Sequence, residues 1–124
     1  MKLFDSTVLI AHLRGVSEAT QLLYGAVADG AAACSVLVRA EIEGGVRTNE
    51  RSAVARLLSV LELQPVTDLV AIRAGESLRA YRCSHPGIDV ADYVVAATAD
   101  LLGAELLTLN VKHFPMFEGL RAAF

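Results

Sequence analysis

There is no tryptophan in this chain, and only 6% of its 124 residues are aromatic. The core must be built mainly from Ala, Val, Leu and Ile, a palette that suits buried parallel strands covered by helices. Cysteine is also scarce. Cys34 and Cys83 sit in apolar or helical stretches and lack metal-ligand spacing, so they read as free thiols in a reducing compartment. No apolar run is long enough to span a membrane, and Asp5 interrupts the N-terminus before a secretory signal could form. The expectation is a soluble cytoplasmic protein. Lysine is nearly missing, two against nine arginines, and the formal net charge is −3. That balance argues against a general charge-driven nucleic-acid binder, although a metal-filled acidic pocket would lose much of its negative charge. The phosphate-cradling and dinucleotide glycine motifs are missing, as are a G-x-S-x-G elbow and a paired Cys and His.

What is present is core-forming material: 54% of the residues are hydrophobic, and the length fits one domain, residues 1–124. Residues 2–4 read as a short buried strand. Ser6 to Leu13 carry helical apolar spacing and stop at Gly15. A second helix is predicted from Ser17 to about Ala28, then a strand over Ala31 to Ser35 and a helix from about Val36 to Val46. Asn49 is placed as the cap of a helix running through Leu61. Leu63 to Val66 reads as an edge strand because of Pro65. Thr67 or Asp68 caps a long helix to about Cys83. Asp89 to Leu102 is apolar on nearly every side and should be central and buried. Glu105 to Leu109 is the last clear strand, and the tail is expected to add one more short one. This βα alternation implies an α/β fold with a mostly parallel sheet and helices on both faces.

In such sheets, ligands bind beyond the carboxyl ends of the strands. Asp5 follows the first strand, and Asn110 follows the last apolar run. Glu41 lies among Val38, Ala40 and Ile42, where a buried carboxylate needs a partner or a metal. Asp92 opens the most apolar helix, with Asp89 assigned to its cap. If these segments pack side by side, three carboxylates and an amide converge, with Thr7 and Thr108 nearby. Clustered carboxylates repel one another unless a cation sits among them, and oxygen ligands suit Mg²⁺ or Mn²⁺. The pattern points to a metal-dependent hydrolase. His12, His85 and His113 show no ligand spacing.

Four blocks of the chain resemble the PIN-domain ribonucleases, in particular the VapC-like toxins of type II toxin–antitoxin pairs. They are Lys2-Leu3-Phe4-Asp5-Ser6-Thr7, Ser35 to Gly45 around Glu41, Asp92-Tyr93-Val94-Val95-Ala96-Ala97-Thr98-Ala99, and Leu107-Thr108-Leu109-Asn110-Val111-Lys112-His113-Phe114. The resemblance implies a PIN-like three-layer fold with four to five short strands. It implies a Mg²⁺- or Mn²⁺-dependent endoribonuclease acting on structured tRNA or rRNA. Asp5, Glu41 and Asp92 would be its catalytic and metal-holding residues. Ser6, Thr7, Asp89, Thr108 and Asn110 would orient ligands and water, and Arg39, Arg47 and Lys112 are candidates for RNA phosphates. A cognate antitoxin and a homodimer are the implied partners. One departure stands out: His113 takes the place where the family often has Asp before the terminal Phe.

Two other classes compete. A phosphoacceptor receiver domain would need an acidic pair after the first strand and a mid-sheet Asp, and Pro65-Val66-Thr67 offers none. A catalytically weakened PIN fold that serves as a metal-binding or partner-binding module is motivated by His113.

Overall fold

Four short strands form one parallel sheet: β1 (Lys2–Phe4), β2 (Ala32–Ser35), β3 (Glu62–Gln64) and β4 (Glu105–Leu107). The computed structural model describes residues 1–124. Across the sheet the order is β3-β2-β1-β4. The chain steps outward from β1 to β3, then returns to the opposite side of β1 for β4. A reversal of this kind opens a crevice at the carboxyl ends of the two strands beside it. Here those strands are β1 and β4, in the register Lys2↔Glu105, Leu3↔Leu106 and Phe4↔Leu107.

Six helices flank the sheet: α1 (Ser6–Leu13), α2 (Ser17–Ala28), α3 (Val36–Gly45), α4 (Arg51–Ser59), α5 (Asp68–Tyr81) and α6 (Val90–Leu102). Strand and helix follow one another with almost no loop on the site side. A single residue, Asp5, separates β1 from α1, and α3 starts directly after β2. There Ser35 makes the turn possible, its Oγ accepting a hydrogen bond from the Leu37 amide at 3.2 Å, which satisfies one orphan donor of the first helical turn.

The main core joins Leu3, Phe4 and Ala33 of the sheet to Leu9, Leu23, Val38 and Leu57 of the covering helices. Helix α6 is buried without interruption from Tyr93 to Ala99. Its Val95, Ala96 and Ala99 enter the main core. Tyr93, Val94 and Ala97 form a second cluster with Val70 and Ala74 of α5. An apolar helix between two packed layers is what its sequence pattern predicted.

Three local expectations change. Asn49 caps no helix: Glu50 folds back so that Oε1 accepts from the Arg47 amide at 3.1 Å, tightening Thr48–Glu50 into a 3-10 turn before α4. Asp89 occupies the N-cap position of α6, but its side chain makes no capping bond. No fifth strand forms; the tail is tied to the β4 side by one backbone bond, from the Ala123 amide to the Thr108 carbonyl at 2.9 Å.

Candidate active site

Asp5 is the most buried acid of the chain, only 3% exposed. It holds the N-cap position of α1 with extended backbone angles, yet its carboxylate caps nothing. Instead Oδ2 accepts hydrogen bonds from Thr7 Oγ1 at 3.0 Å and Thr108 Oγ1 at 2.8 Å. Each hydroxyl has one proton, and both protons point at Asp5. Their lone pairs are used as well: Thr7 accepts from the Leu109 amide at 3.0 Å and Thr108 from the Asn110 amide at 2.9 Å. The 3.4 Å approach of the two threonine oxygens is then a contact rather than a third bond. This clamp joins the ends of β1 and β4 and fixes Asp5 at the crevice.

Glu41 lies about one and a half turns into α3. Contrary to the expectation of burial, it is exposed. Val38 and Ile42 enter the core while Glu41 sits beside that stripe and faces the cleft, where Ser6 Oγ approaches Oε2 at 3.5 Å. Asp92, half-buried in the first turn of α6, accepts from His113 Nδ1 at 2.8 Å through Oδ2. Asp5, Ser6, Thr7, Glu41, Asp89, Asp92, Asn110 and His113, with Gly87 and Ala91, line one open cleft of about 280 Å³. Nine of these ten residues are not hydrophobic, unlike a pocket for an apolar ligand. Thr108 is fully buried behind Asp5.

The acids feel one another. Although Glu41 is exposed as a residue, partial burial of its carboxyl against the cleft pushes it up, and repulsion from Asp5 and Asp92 pushes it further, against a smaller opposing effect of Ser6. Burial also raises Asp92, with Asp5 adding to the rise and the bond and charge of His113 working against it. Burial is the larger cause in both cases, and the repulsion among the acids adds to it.

The three basic candidates do not line the cleft. Arg39 faces Glu43 at 4.0 Å on exposed α3 and, with Arg51, edges a separate groove of about 700 Å³ between α3 and α4. Arg47 is exposed ahead of α4, and Lys112 is exposed on the 3-10 turn Val111–His113 that carries His113. His113 itself was not among the candidate residues. The available signal was its place three residues after Asn110, one turn of a 3-10 helix.

A hard divalent cation fits the chemistry of this donor set. Three carboxylates line one polar cleft, and their mutual repulsion is what a cation would relieve. No three His, Cys, Asp or Glu side chains close around a common point, so the arrangement suits an ion that keeps several waters and takes few direct carboxylate contacts, as Mg²⁺ does.

Comparison with known proteins identifies the family. The sequence model of the PIN domain matches residues 2–115. The chain is 53% identical over 124 residues to Ribonuclease VapC10 of Mycobacterium tuberculosis H37Rv, covering all of this chain and 93% of that protein. It is 44% identical over 125 residues to Ribonuclease VapC19 of the same strain, with full coverage of both. A toxin–antitoxin complex from Klebsiella pneumoniae contains a chain of similar structure, with a TM-score of 0.79 and 25% identity, covering 100% of this chain and 98% of that one. VapBC2 from Rickettsia felis, bound to a promoter DNA fragment, shares the fold with a TM-score of 0.81 at 20% identity, over 98% of this chain and 96% of that one. The chain belongs to the PIN-domain family and, within it, to the VapC proteins.

Proposed function

We propose that this chain is a divalent-metal-dependent endoribonuclease, the toxin of a type II toxin–antitoxin pair, hydrolysing phosphodiester bonds in structured RNA such as tRNA or rRNA. The observation that carries this reading is the meeting of Asp5, Glu41 and Asp92 in one polar cleft at the switch between β1 and β4. The full-length similarity to two proteins named as ribonucleases supports it.

In this reading Asp5, Glu41 and Asp92 hold Mg²⁺ or Mn²⁺, directly or through water. When bound, the cation offsets charge on the scissile phosphate and makes water a better nucleophile. Glu41, on the cleft side of α3, is placed to take the proton from the attacking water. Ser6, Thr7, Asp89, Thr108 and Asn110 hold the acids and their waters in place. Lys112, beside the cleft on the same turn as His113, is the remaining candidate for a phosphate contact. An unpaired RNA loop fits an open cleft of this kind, because its backbone can enter without a second strand in the way.

The partner of this reading is a cognate antitoxin. Structural neighbours are toxin–antitoxin complexes. The groove between α3 and α4, with Val46, Val54, Ala55 and Leu58 on its walls, is a seat for an amphipathic helix. A homodimer acting in the cytoplasm completes the proposal. No helix is long and apolar enough to cross a membrane.

The test is cleavage of a tRNA and rRNA panel by purified protein with Mg²⁺, with Mn²⁺ and with EDTA, beside Asp92→Asn. Discrete metal-dependent cuts that vanish in the variant are expected. A folded protein that cuts nothing under either metal would favour a binding role.

A further inference from the structure

Each of the three acids has one oxygen engaged by a side-chain donor, and the backbone of Asp89 adds a further hydrogen bond to the Asp92 carboxylate. Asp5 Oδ2 takes the two threonine hydroxyls, Glu41 Oε2 takes the long contact from Ser6, and Asp92 Oδ2 takes His113 Nδ1. For Asp92 the imidazole is the one side chain that bonds its carboxylate. We propose that His113 is a positioning residue for Asp92: its Nδ1–H holds Oδ2 and turns Oδ1 toward the divalent cation that the cleft would hold. The inference rests on the metal-site reading above.

The local structure makes His113 suited to this task. It sits on a 3-10 turn anchored by its own amide, which bonds the Asn110 carbonyl at 3.1 Å. The next residue, Phe114, is 1% exposed in the main core. The turn is thereby tied to the core, and the ring meets Asp92 of α6 from across the cleft. A ring that donates from Nδ1 to a carboxylate has a fixed orientation, the arrangement by which outer groups commonly orient metal-holding ones. His113 acts here on a carboxylate, through Nδ1. That specificity separates positioning from direct ligation, in which the other nitrogen, Nε2, would be the working atom.

Asparagine and glutamine distinguish the two nitrogens. The amide nitrogen of Asn at position 113 falls near the place of Nδ1, and that of Gln near the place of Nε2. Mn²⁺ binding without RNA, read from loss of the free-ion electron paramagnetic resonance signal, is measured for wild type, His113→Ala, His113→Asn and His113→Gln. Thermal midpoints confirm that each is folded. His113→Ala is expected to weaken Mn²⁺ by about 10–100-fold, with His113→Asn restoring affinity to within a few-fold and His113→Gln failing to do so. Unchanged affinity in His113→Ala overturns the proposal, as does rescue by Gln but not Asn, which would make His113 a direct ligand. Wild type that binds no Mn²⁺ overturns the metal-site reading, and the proposal with it. The wild-type baseline thus separates the two failures.

Discussion

Asp5 and Thr108 stand 103 positions apart in the chain and 2.8 Å apart in the fold. Thr108 Oγ1 donates to the Asp5 carboxylate and accepts from the Asn110 amide, so one buried hydroxyl ties the end of β4 to the acid at the end of β1. Thr108→Val keeps the shape and removes both bonds. The expected loss is about 1–3 kcal/mol of stability, the cost of leaving buried polar groups unpaired. Thr108→Ser should restore most of it. Denaturant unfolding of the three proteins checks this, and an unchanged midpoint in Thr108→Val would mean that the clamp contributes nothing.

The same clamp predicts how Asp5→Asn behaves. The amide oxygen of Asn can accept both threonine hydroxyls, so the fold survives while one negative charge leaves the cleft. RNA cleavage should fall to background with the thermal midpoint nearly unchanged. Cleavage at the wild-type rate would remove Asp5 from the reaction.

Glu41 and Asp92 have carboxyl groups raised in the folded protein, chiefly by burial. The sign of the stability effect follows from linkage. An acid that holds its proton more tightly when folded costs no stability while both states are protonated. It destabilises progressively as pH rises from the ordinary carboxylate range through the raised folded value. Without metal, Glu41→Gln should therefore raise the melting temperature near neutral pH, and this advantage should shrink as pH falls into the ordinary carboxylate range. Mg²⁺ or Mn²⁺ should raise the wild-type melting temperature near neutrality and do so less at the acidic end, where protons compete for the same oxygens. Scanning calorimetry with EDTA and with each metal tests both. A metal-induced rise that grows on acidification would contradict the assignment of these acids.

Much of this was legible in the sequence, for reasons that differ by residue. Helices α1 and α2 follow from apolar spacing closed by Gly15 and by Asp29-Gly30, signals contained within a few residues. Asp5 and Asn110 were placed at a site because strand ends in parallel sheets are where ligands bind. Glu41 lines the cleft with the other acids, but it is exposed rather than buried. Ile42, adjacent in sequence, points into the core with Val38, while Glu41 lies at the edge of that stripe and turns to the cleft. The pairing of Asp92 with His113 was not legible, because it depends on how the turn after β4 packs against the start of α6. Nothing local to either residue encodes that meeting.

The two cysteines should react very differently. Cys34 is fully buried in β2, and burial pushes its thiol up to about 11. Cys83 is exposed after α5. The thiolate is the reactive form, so at mildly alkaline pH a thiol reagent should label one site per native chain quickly and the second only on unfolding. Cys83→Ser should abolish the fast phase. Rapid labelling of Cys34 in the native protein would mean that the sheet opens locally far more often than its burial implies.

Two glycines give opposite forecasts when changed to alanine. Gly75 lies inside α5, and a Cβ there would meet nothing within 4 Å. Gly75→Ala should stabilise by about 0.5–1 kcal/mol, because alanine has less backbone freedom to lose in a helix. Gly103 closes α6 in the left-handed region, with φ of 62°, its amide on the Asp100 carbonyl at 3.1 Å and the Ala104 amide on the Ala99 carbonyl at 2.9 Å. Space is open there too, so the penalty for Gly103→Ala is purely conformational, about 1–2 kcal/mol. The two changes do not touch, so the double variant should show the sum of the single effects. Asp92 lies at the opposite end of α6 from Gly103, so Mn²⁺ affinity should be the same in Gly103→Ala as in wild type. A loss of metal affinity there would show that the closing turn of α6 is coupled along the whole helix to the cleft.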